Sequence, residues 1–526
     1  MQNPDYYLPV TIESQAGLAS DEKGITFEEI PCQIFLPQNF HEPVTACLEL
    51  TDGQAKAIGT FGNLFWHMSI EGWLQWGGTF TQIQARKCYI PNDHWPMRRY
   101  DCSFQRINLP LEVLDLQVVE THHIDCEGIV DESFGKGCVV QKPTSLPPIE
   151  KPDDPVLVSF WLTHNRDVLK VRHEMRHTNG SIEVKEWEPY KFKLLPDVEV
   201  TLDRQFRWTD HKKSELIRRE DLIVNVLLSP NNKEPLVVSD TILCAIDNFL
   251  LLLSFATRWN TICLGWNTSQ WPYITKQYRH GRTLPHHLLE DTLHPVRQNH
   301  ESGIIAPESV PDFLRHAWPL WMGLDASSRE MLQQVLQAIV HAQTLDLHSA
   351  FTSHYSTLEM MVLHFRKNND LEFVLSDEKE WEQFKEDLTG FIAKHPLITG
   401  STPQQKVRRK KAKEKISEFN RVAFGTAFAE FCEIYTIPHQ DIWPVTGEKS
   451  LSRIRNNLVH GVLDGRDQTN AIYAAKLHIE WLVERSVLRL LSWPIENSRV
   501  APNYLTHLIA YNRENWEAAK NIIFLP

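Results

Sequence analysis

Residues 450–465 read SLSRIRNNLVHGVLDG, and 469–493 read TNAIYAAKLHIEWLVERSVLRLLSW. Together they decide how the second half of the chain folds. In the first stretch Leu451, Ile454 and Leu458 recur at helical spacing, which sets one apolar stripe on a short helix. Gly461 supplies the residue that ends it, as glycines do just past helix C-termini. The second stretch continues as a long amphipathic helix. Long helices with short connections predict an antiparallel bundle.

The same texture extends upstream to about Ala326. SSREMLQQVLQAIVHAQTLDLHSAFTSHYSTLEMMVLHFRKN fits one long or two stacked helices, DEKEWEQFKEDLTGFIAKH a further helix stopped by Pro396, and KVRRKKAKEKISEFNRVAFGTAFAEFCEIY another ending before Pro438. Asp240–Trp259 also has helical spacing, and an irregular stretch from about Trp266 to Pro319 follows it. Before that the pattern changes. TACLEL, GTFTQIQARKCYI and VLVSFWL are short β-branched and aromatic runs broken by Gly, Asn and Pro, which predict strands. The proline cluster Pro143–Pro155 marks a long loop or an internal boundary. The expected fold class is α+β. A β-rich N-terminal domain spans 1–235, a mixed helical connector 236–325, an all-α bundle 326–500, and a helical extension 501–526.

Bulk properties narrow the function classes. The chain of 526 residues is 42% apolar and 23% charged, as soluble globular proteins are. The apolar run Phe249–Ala256 is far short of the ~20 residues of a membrane span, so no membrane partner is expected. Nine cysteines without a CxxC pair predict reduced thiols, and the absence of a basic-then-apolar opening agrees with a cytoplasmic protein. A net charge of −13 means that any nucleic acid must be held by a local basic patch.

Two constellations could carry chemistry. HEMRH, His173–His177, matches the zinc-hydrolase pattern His-Glu-x-x-His, which works only on a helix where residues four apart share a face. Here Val171, His173, Met175 and His177 alternate with Arg172, Glu174 and Arg176 and run into an Asn-Gly turn, so the stretch reads as a strand. On a strand the two histidines would lie ~13 Å apart, too far for one ion. No metal and no cofactor is expected. The second constellation is the polar side of the opening stretch. Asn456 and His460 are four residues apart on the far side from the apolar stripe, Arg453 joins them by angle, and Arg455 can reach around. Asn is a poor helix former, and two in a row call for a reason.

RNNLVH, Arg455–His460, resembles the signature of HEPN-domain ribonucleases: an arginine, a polar residue directly after it, three residues, a histidine. The resemblance covers about Ala326–Trp493. The two-part layout is similar to the ApeA-like bacterial anti-phage proteins. It implies a metal-independent endoribonuclease of abortive-infection defence, with RNA (tRNA included) as substrate. It further implies a homodimer whose paired motif helices form one cleft, and an N-terminal half that senses a phage-derived trigger. Arg455, Asn456 and His460 would be the catalytic residues. Arg453 also lies within the family's looser spacing to His460, but only Arg455 is followed directly by the polar residue.

Residues 406–415, KVRRKKAKEK, hold seven basic residues and one acidic one. Such a run is a solvated helix face or a phosphate-gripping edge. Its place in the same domain as the motif favours the edge, with Arg408, Arg409, Lys410 and Lys411, together with Arg453, as RNA contacts. Two rival readings remain: a non-catalytic RNA- or partner-binding module, and the zinc hydrolase on His173, Glu174 and His177. In the N-terminal half, Trp66, Trp73, Trp76 and Trp95 are either core or a ligand groove.

Overall fold

The computed structural model describes residues 10–20, 25–37, 40–41, 44–51, 53–54, 67–76, 79–89, 106–122, 153–163, 165, 168, 189–211, 215–229, 236–270, 272–279, 303–395, 402–461 and 468–524. They form a β-rich N-terminal region followed by an all-helical C-terminal region, an α+β protein. Two compact units result, Met1–Leu250 with Asn260–Ser302, and Leu251–Trp259 with Gly303–Pro526.

The first unit carries twelve antiparallel strands: β1 (Val10–Ser20), β2 (Ile25–Leu36), β3 (Thr45–Thr51), β4 (His67–Trp76), β5 (Thr79–Tyr89), β6 (Arg106–His122), β7 (Val156–Leu162), β8 (Tyr190–Leu195), β9 (Val198–His211), β10 (Glu215–Leu228), β11 (Cys263–Gln270) and β12 (Tyr273–Arg279). Their order is β3-β2-β1-β4-β5-β6-β12-β11-β7-β10-β9-β8, and β3 also pairs with β6. That extra pairing closes the first six strands into a ring. Strand β6 is long enough to serve both parts, meeting β3 along Arg106–Glu112 and β12 along Asp115–Thr121. Strict alternation makes the core: Ala46, Leu48 and Leu50 point inward on β3, and Val156, Val158, Phe160 and Leu162 on β7. At the free edge β8 exposes Lys191 and Lys193, which discourages pairing with another chain.

Helix α1 (Asp240–Thr257) is long and apolar enough by composition to cross a membrane, the one such helix among the described residues, yet most of it is buried. Ala245, Ile246, Phe249, Leu250, Leu252, Leu253, Phe255 and Ala256 are all core. Within the first unit Phe249 stacks on Phe192 of β8, centroids 4.0 Å apart, and Asp247 takes a two-point ion pair from Arg279 at 2.8 Å.

The second unit is built from α2 (Val310–Gly323), α3 (Ala326–Ala342), α4 (Leu347–Asn368), α5 (Glu378–Lys394), α6 (Pro403–Phe419), α7 (Phe424–Ile434), α8 (Leu451–Val459), α9 (Thr469–Leu490), α10 (Pro502–Leu505) and α11 (Arg513–Ile523). Helix α4 is the hub, packing against α3, α7, α8 and α9, while α11 covers α9. Side-chain caps start most of these helices. Asp325, Asp346, Asp377, Thr402 and Ser450 each accept a backbone N–H of the first turn.

Several expectations need correction. The 236–325 connector is not a unit of its own. Within it, Trp266–Pro319 is not irregular throughout: β11 and β12 add to the sheet, and α2 joins the bundle. The 501–526 extension belongs to the helical unit. The stretch 326–368 takes the second of its two expected forms, two helices, whereas 406–435, expected as one helix, is also two, because Asn420 ends α6 by turning its side chain to Leu375. His173, Glu174, His177 and the tryptophans Trp66 and Trp95 lie outside the described residues.

Candidate functional site

Helix α8 is short and firmly seated. Ser450 caps it, its Oγ accepting the N–H of Arg453 at 3.4 Å and donating to the carbonyl of Gly447 at 2.7 Å. Ahead of it the N–H groups of Leu451 and Ser452 donate to the carbonyls of Pro444 and Val445. Leu451 and Ile454 are fully buried and Leu458 half-buried, so the expected stripe packs against the bundle, on α4. At the other end the His460 N–H donates to Asn456 O at 3.0 Å. Gly461 follows at φ +67°, donating to Leu458 O at 3.1 Å, a left-handed residue that costs glycine nothing.

This seating leaves the polar side open. Arg453, Asn456 and His460 are exposed, at positions three and four residues apart that share one face. Arg455 points away from that line and is half-buried. Its Nη1 donates to Asn456 Oδ1 at 3.3 Å, and its Nη2 stands 3.8 Å from Glu359 Oε2 on α4. Its Nε is shielded from solvent and makes no hydrogen bond. Among the described residues no hydrogen bond joins Arg455 to His460, and Asn456 stands between them in the sequence as a partner of the guanidinium.

Sequence reading missed the α4 side of this site. Tyr355 and Glu359, one helical turn apart, both face α8. Burial, with Glu359 adding to it, pushes the Tyr355 hydroxyl up to about 12, while its hydrogen bond with Ser452 and the nearby Arg455 work the other way. The phenol is therefore a neutral hydrogen-bonding group at ordinary pH. Nothing in the stretch LHSAFTSHYSTLEMM distinguishes these two residues from others on an amphipathic helix. Only the packing of α4 on α8 does.

The basic run forms the middle of α6, and the helix sorts its residues. Arg408 and Lys411 are exposed on one flank, Arg409 is half-buried toward α5, and Lys410 is exposed on the other flank 3.8 Å from Glu414. Helix α6 packs on α5, whereas α8 packs on α4. The four basic residues do not form one patch.

Helix α9, which also packs on α4, carries a buried charge network. Glu484 is fully buried and holds Arg258 at two points, 2.8 and 2.5 Å. One turn earlier Glu480 takes Lys476 at 2.7 Å and lies 3.8 Å from His354 Nε2 on α4. Burial opposes charge on Glu480, but Lys476 and Arg258 overcome it and hold that carboxyl low. Burial and the Glu480 charge push Glu484 upward. Burial also drives His354 down to about 4, and both of its ring nitrogens lack hydrogen bonds. This interior sets two cations against two carboxyl groups, with Glu480, Glu484 and His354 buried and Arg258 and Lys476 partly exposed. It scaffolds α4 and α9 and offers no route to a reacting molecule.

What α8 offers is an exposed amide and an exposed imidazole at the helix end, with the half-buried guanidinium of Arg455 beside the amide at one long ion-pair distance from Glu359. Such a set binds an anion and moves a proton. No family model, no curated protein and no solved structure matches this chain.

Proposed function

We propose that the protein is a metal-independent endoribonuclease acting through Arg455, Asn456 and His460. The observation that carries the reading is a capped α8 whose open face bears Asn456 and His460, with the half-buried guanidinium of Arg455 held to that Asn456 and to one long ion pair with Glu359. RNA brings its own nucleophile, the 2′-OH next to each phosphate. An imidazole takes that proton or returns one to the 5′-oxygen leaving group. The guanidinium balances the charge that grows on the phosphorane, with a two-point geometry that lysine cannot offer. Asn456 fixes the guanidinium by its amide oxygen and leaves its own N–H groups for a phosphate oxygen.

One Arg and one His make a thin site. The reading therefore includes a homodimer in which two α8 helices face each other, and its likeness to HEPN-domain ribonucleases extends it to anti-phage defence with tRNA among the candidate substrates. The N-terminal unit would then restrain or trigger the helical one.

The test is cleavage of total tRNA with EDTA present, with the ends mapped. His460→Ala and Arg455→Ala should each lower the rate by roughly 10²–10³ while melting like wild type, and Arg453→Ala should do much less. Wild-type rates in either folded variant would remove the site. Binding without cleavage by the wild-type protein would leave a non-catalytic RNA module.

A further inference from the structure

Helices α5 and α6 form a hairpin with an unusual surface. The four exposed phenylalanines among the described residues, Phe373, Phe384, Phe391 and Phe419, all belong to it or to the segment leading into it. The hairpin is closed at its base. Val374 N donates to Asn420 O at 2.7 Å, and the Asn420 amide pairs with both backbone groups of Leu375 at 2.8 and 3.0 Å. The start of α5 thus sits beside the end of α6, and the two run antiparallel. Burial between them is thin, with only Ile392 and Ile416 in the core.

Helical spacing then sorts the faces. On α5, Trp381, Phe384, Leu388, Phe391 and His395 recur at intervals of three and four along one flank. Trp381 and Phe384 lie as tilted rings with centroids 6.0 Å apart, and Phe391 and His395 likewise at 5.8 Å. On α6, Arg408, Lys411, Lys415 and Phe419 recur in the same way, all exposed, with Lys415 held by an exposed ion pair to Glu418 at 2.7 Å that a phosphate would have to displace. Taking Ile392 and Ile416 as the facing positions, both stripes are turned the same way around their helices. In an antiparallel pair that places them on the same side of the hairpin. Glu378, Glu382 and Glu386 ride the opposite flank of α5, while Glu380 and Asp387 border the ring stripe from behind.

Exposed rings beside a row of cations fit one occupant better than others. A second copy would bring the same positive α6, and an apolar protein groove has no use for the cations. Unpaired nucleotides have flat bases that stack on rings and phosphates that meet Arg and Lys. A duplex hides its bases and offers the rings nothing. We infer that this face of the α5–α6 hairpin is a platform for single-stranded RNA. Bases stack on Phe384, Phe391 and Phe419, and the backbone follows Arg408, Lys411 and Lys415. The inference rests on the RNA reading above and narrows its substrate to unpaired segments such as loops.

The test uses full-length protein carrying His460→Ala, so that the probe survives, and fluorescence anisotropy with a labelled uridine homopolymer and with an RNA duplex of equal length. The single strand should bind tighter. Phe384→Ala, Phe391→Ala and Phe419→Ala should each weaken it by roughly 5- to 100-fold. Tyr at these positions should restore binding, and Leu should not. Arg408→Gln, Lys411→Gln and Lys415→Gln together should flatten the log–log salt slope by about 2. Equal binding by the Leu variants, a duplex bound as well as the strand, or no binding of the strand would overturn the platform. So would loss of a dimer by the Phe→Ala variants in sedimentation, which would put a second copy on the stripe. Cleavage by the His460-intact protein separates the two proposals. A protein that binds through these rings but never cuts keeps the platform and loses the nuclease. A protein that cuts while its Phe variants bind unchanged does the reverse.

Discussion

Helices α8 and α9 follow one another in the chain and treat their charges in opposite ways. Along α9, Glu480, Glu484 and Arg485 are buried, and each is met by partners at full hydrogen-bond distance. Arg485 donates to both oxygens of Asp441 and to the carbonyls of Pro438 and Val500, all at 2.7–2.8 Å. Tyr511 closes the set by donating to Asp441 at 2.6 Å. Along α8 the backbone is equally well fixed, but Arg453, Asn456 and His460 face solvent and Arg455 has only one ion-pair contact, at 3.8 Å. A buried charge without partners is too costly to persist, so α9's charges are explained by the fold. The polar residues of α8 are not. They sit where folding asks nothing of them, and that difference directs the functional reading to α8.

The comparison breaks first at Arg485. Replacing it with Ala should cost on the order of 3 kcal/mol, because Asp441, a quarter exposed, would keep Tyr511 as its side-chain partner while the carbonyls of Pro438 and Val500 lose their donor. Denaturant unfolding followed by tryptophan fluorescence would report this, since Trp443 and Trp481 are packed nearby in the same unit. His460→Ala, by contrast, should leave the unfolding midpoint where it is. Equal losses in the two variants would erase the distinction between the helices.

The same contrast explains what the sequence could and could not tell. The stripe Leu451, Ile454, Leu458 and the stop at Gly461 are local features, and both the helix and its open face follow from them. The charges of α9 mislead, because three and four residue spacing would send Glu480 and Glu484 to a solvated face. They are inside because Arg258, more than two hundred residues earlier, reaches them from the end of α1 at φ +53°. Long-range partners leave no periodic trace. The strand β11, CLGWNTSQ, was equally hard to see. Its Gly, Asn, Thr and Gln suit a loop, and the residues are strand only because β7 and β12 flank them on both sides. On sequence alone helix α6 runs on into α7, since Val422 and Phe424 continue the apolar spacing. The break is made by Asn420, whose amide is satisfied by a residue before α5.

A second, smaller effect lies in the interior itself. His354 is buried with two bare ring nitrogens, facing Glu480, Lys476 and Arg258, and burial holds it down at about 4 against an ordinary 6.5. His478 is depressed to about 4 by burial as well, although its nitrogens are bonded to Trp443 N and Ala510 O. Between these values the unfolded chain binds more protons than the folded one. The stability contribution is therefore whole above about pH 6.5 and is lost as the pH falls toward 4. Each histidine accounts for on the order of 3 kcal/mol over that window. His354→Leu should remove one histidine's share of that slope, which Glu484, pushed upward by burial, opposes in the same pH range, and should raise the melting temperature at pH 5, since it replaces an unpartnered polar ring by an apolar group. His478→Leu should remove the same slope but lower stability at neutral pH. A pH profile unmoved by His354→Leu would mean that the ring titrates as an exposed one.

The finest test of the comparison is Glu359, where α4 touches α8. If the Arg455–Glu359 pair were of the α9 kind, removing the carboxylate would strand a cation and cost several kcal/mol. Its geometry says otherwise. Both side chains are 34% exposed and 3.8 Å apart, a pair worth less than about 1 kcal/mol once solvent screening is counted. Glu359→Gln should therefore leave the unfolding midpoint nearly unchanged. Its effect should fall on the site. A carboxylate at that distance repels an incoming phosphate, which would meet the Nη groups of Arg455. Neutralising Glu359 should tighten RNA binding a few-fold, lower KM more than it alters kcat, and lose most of that advantage at high salt, where the repulsion is screened. A large drop in stability would place Arg455 among the structural charges with Arg485. A loss of kcat at unchanged KM would show instead that Glu359 holds the guanidinium in its working position.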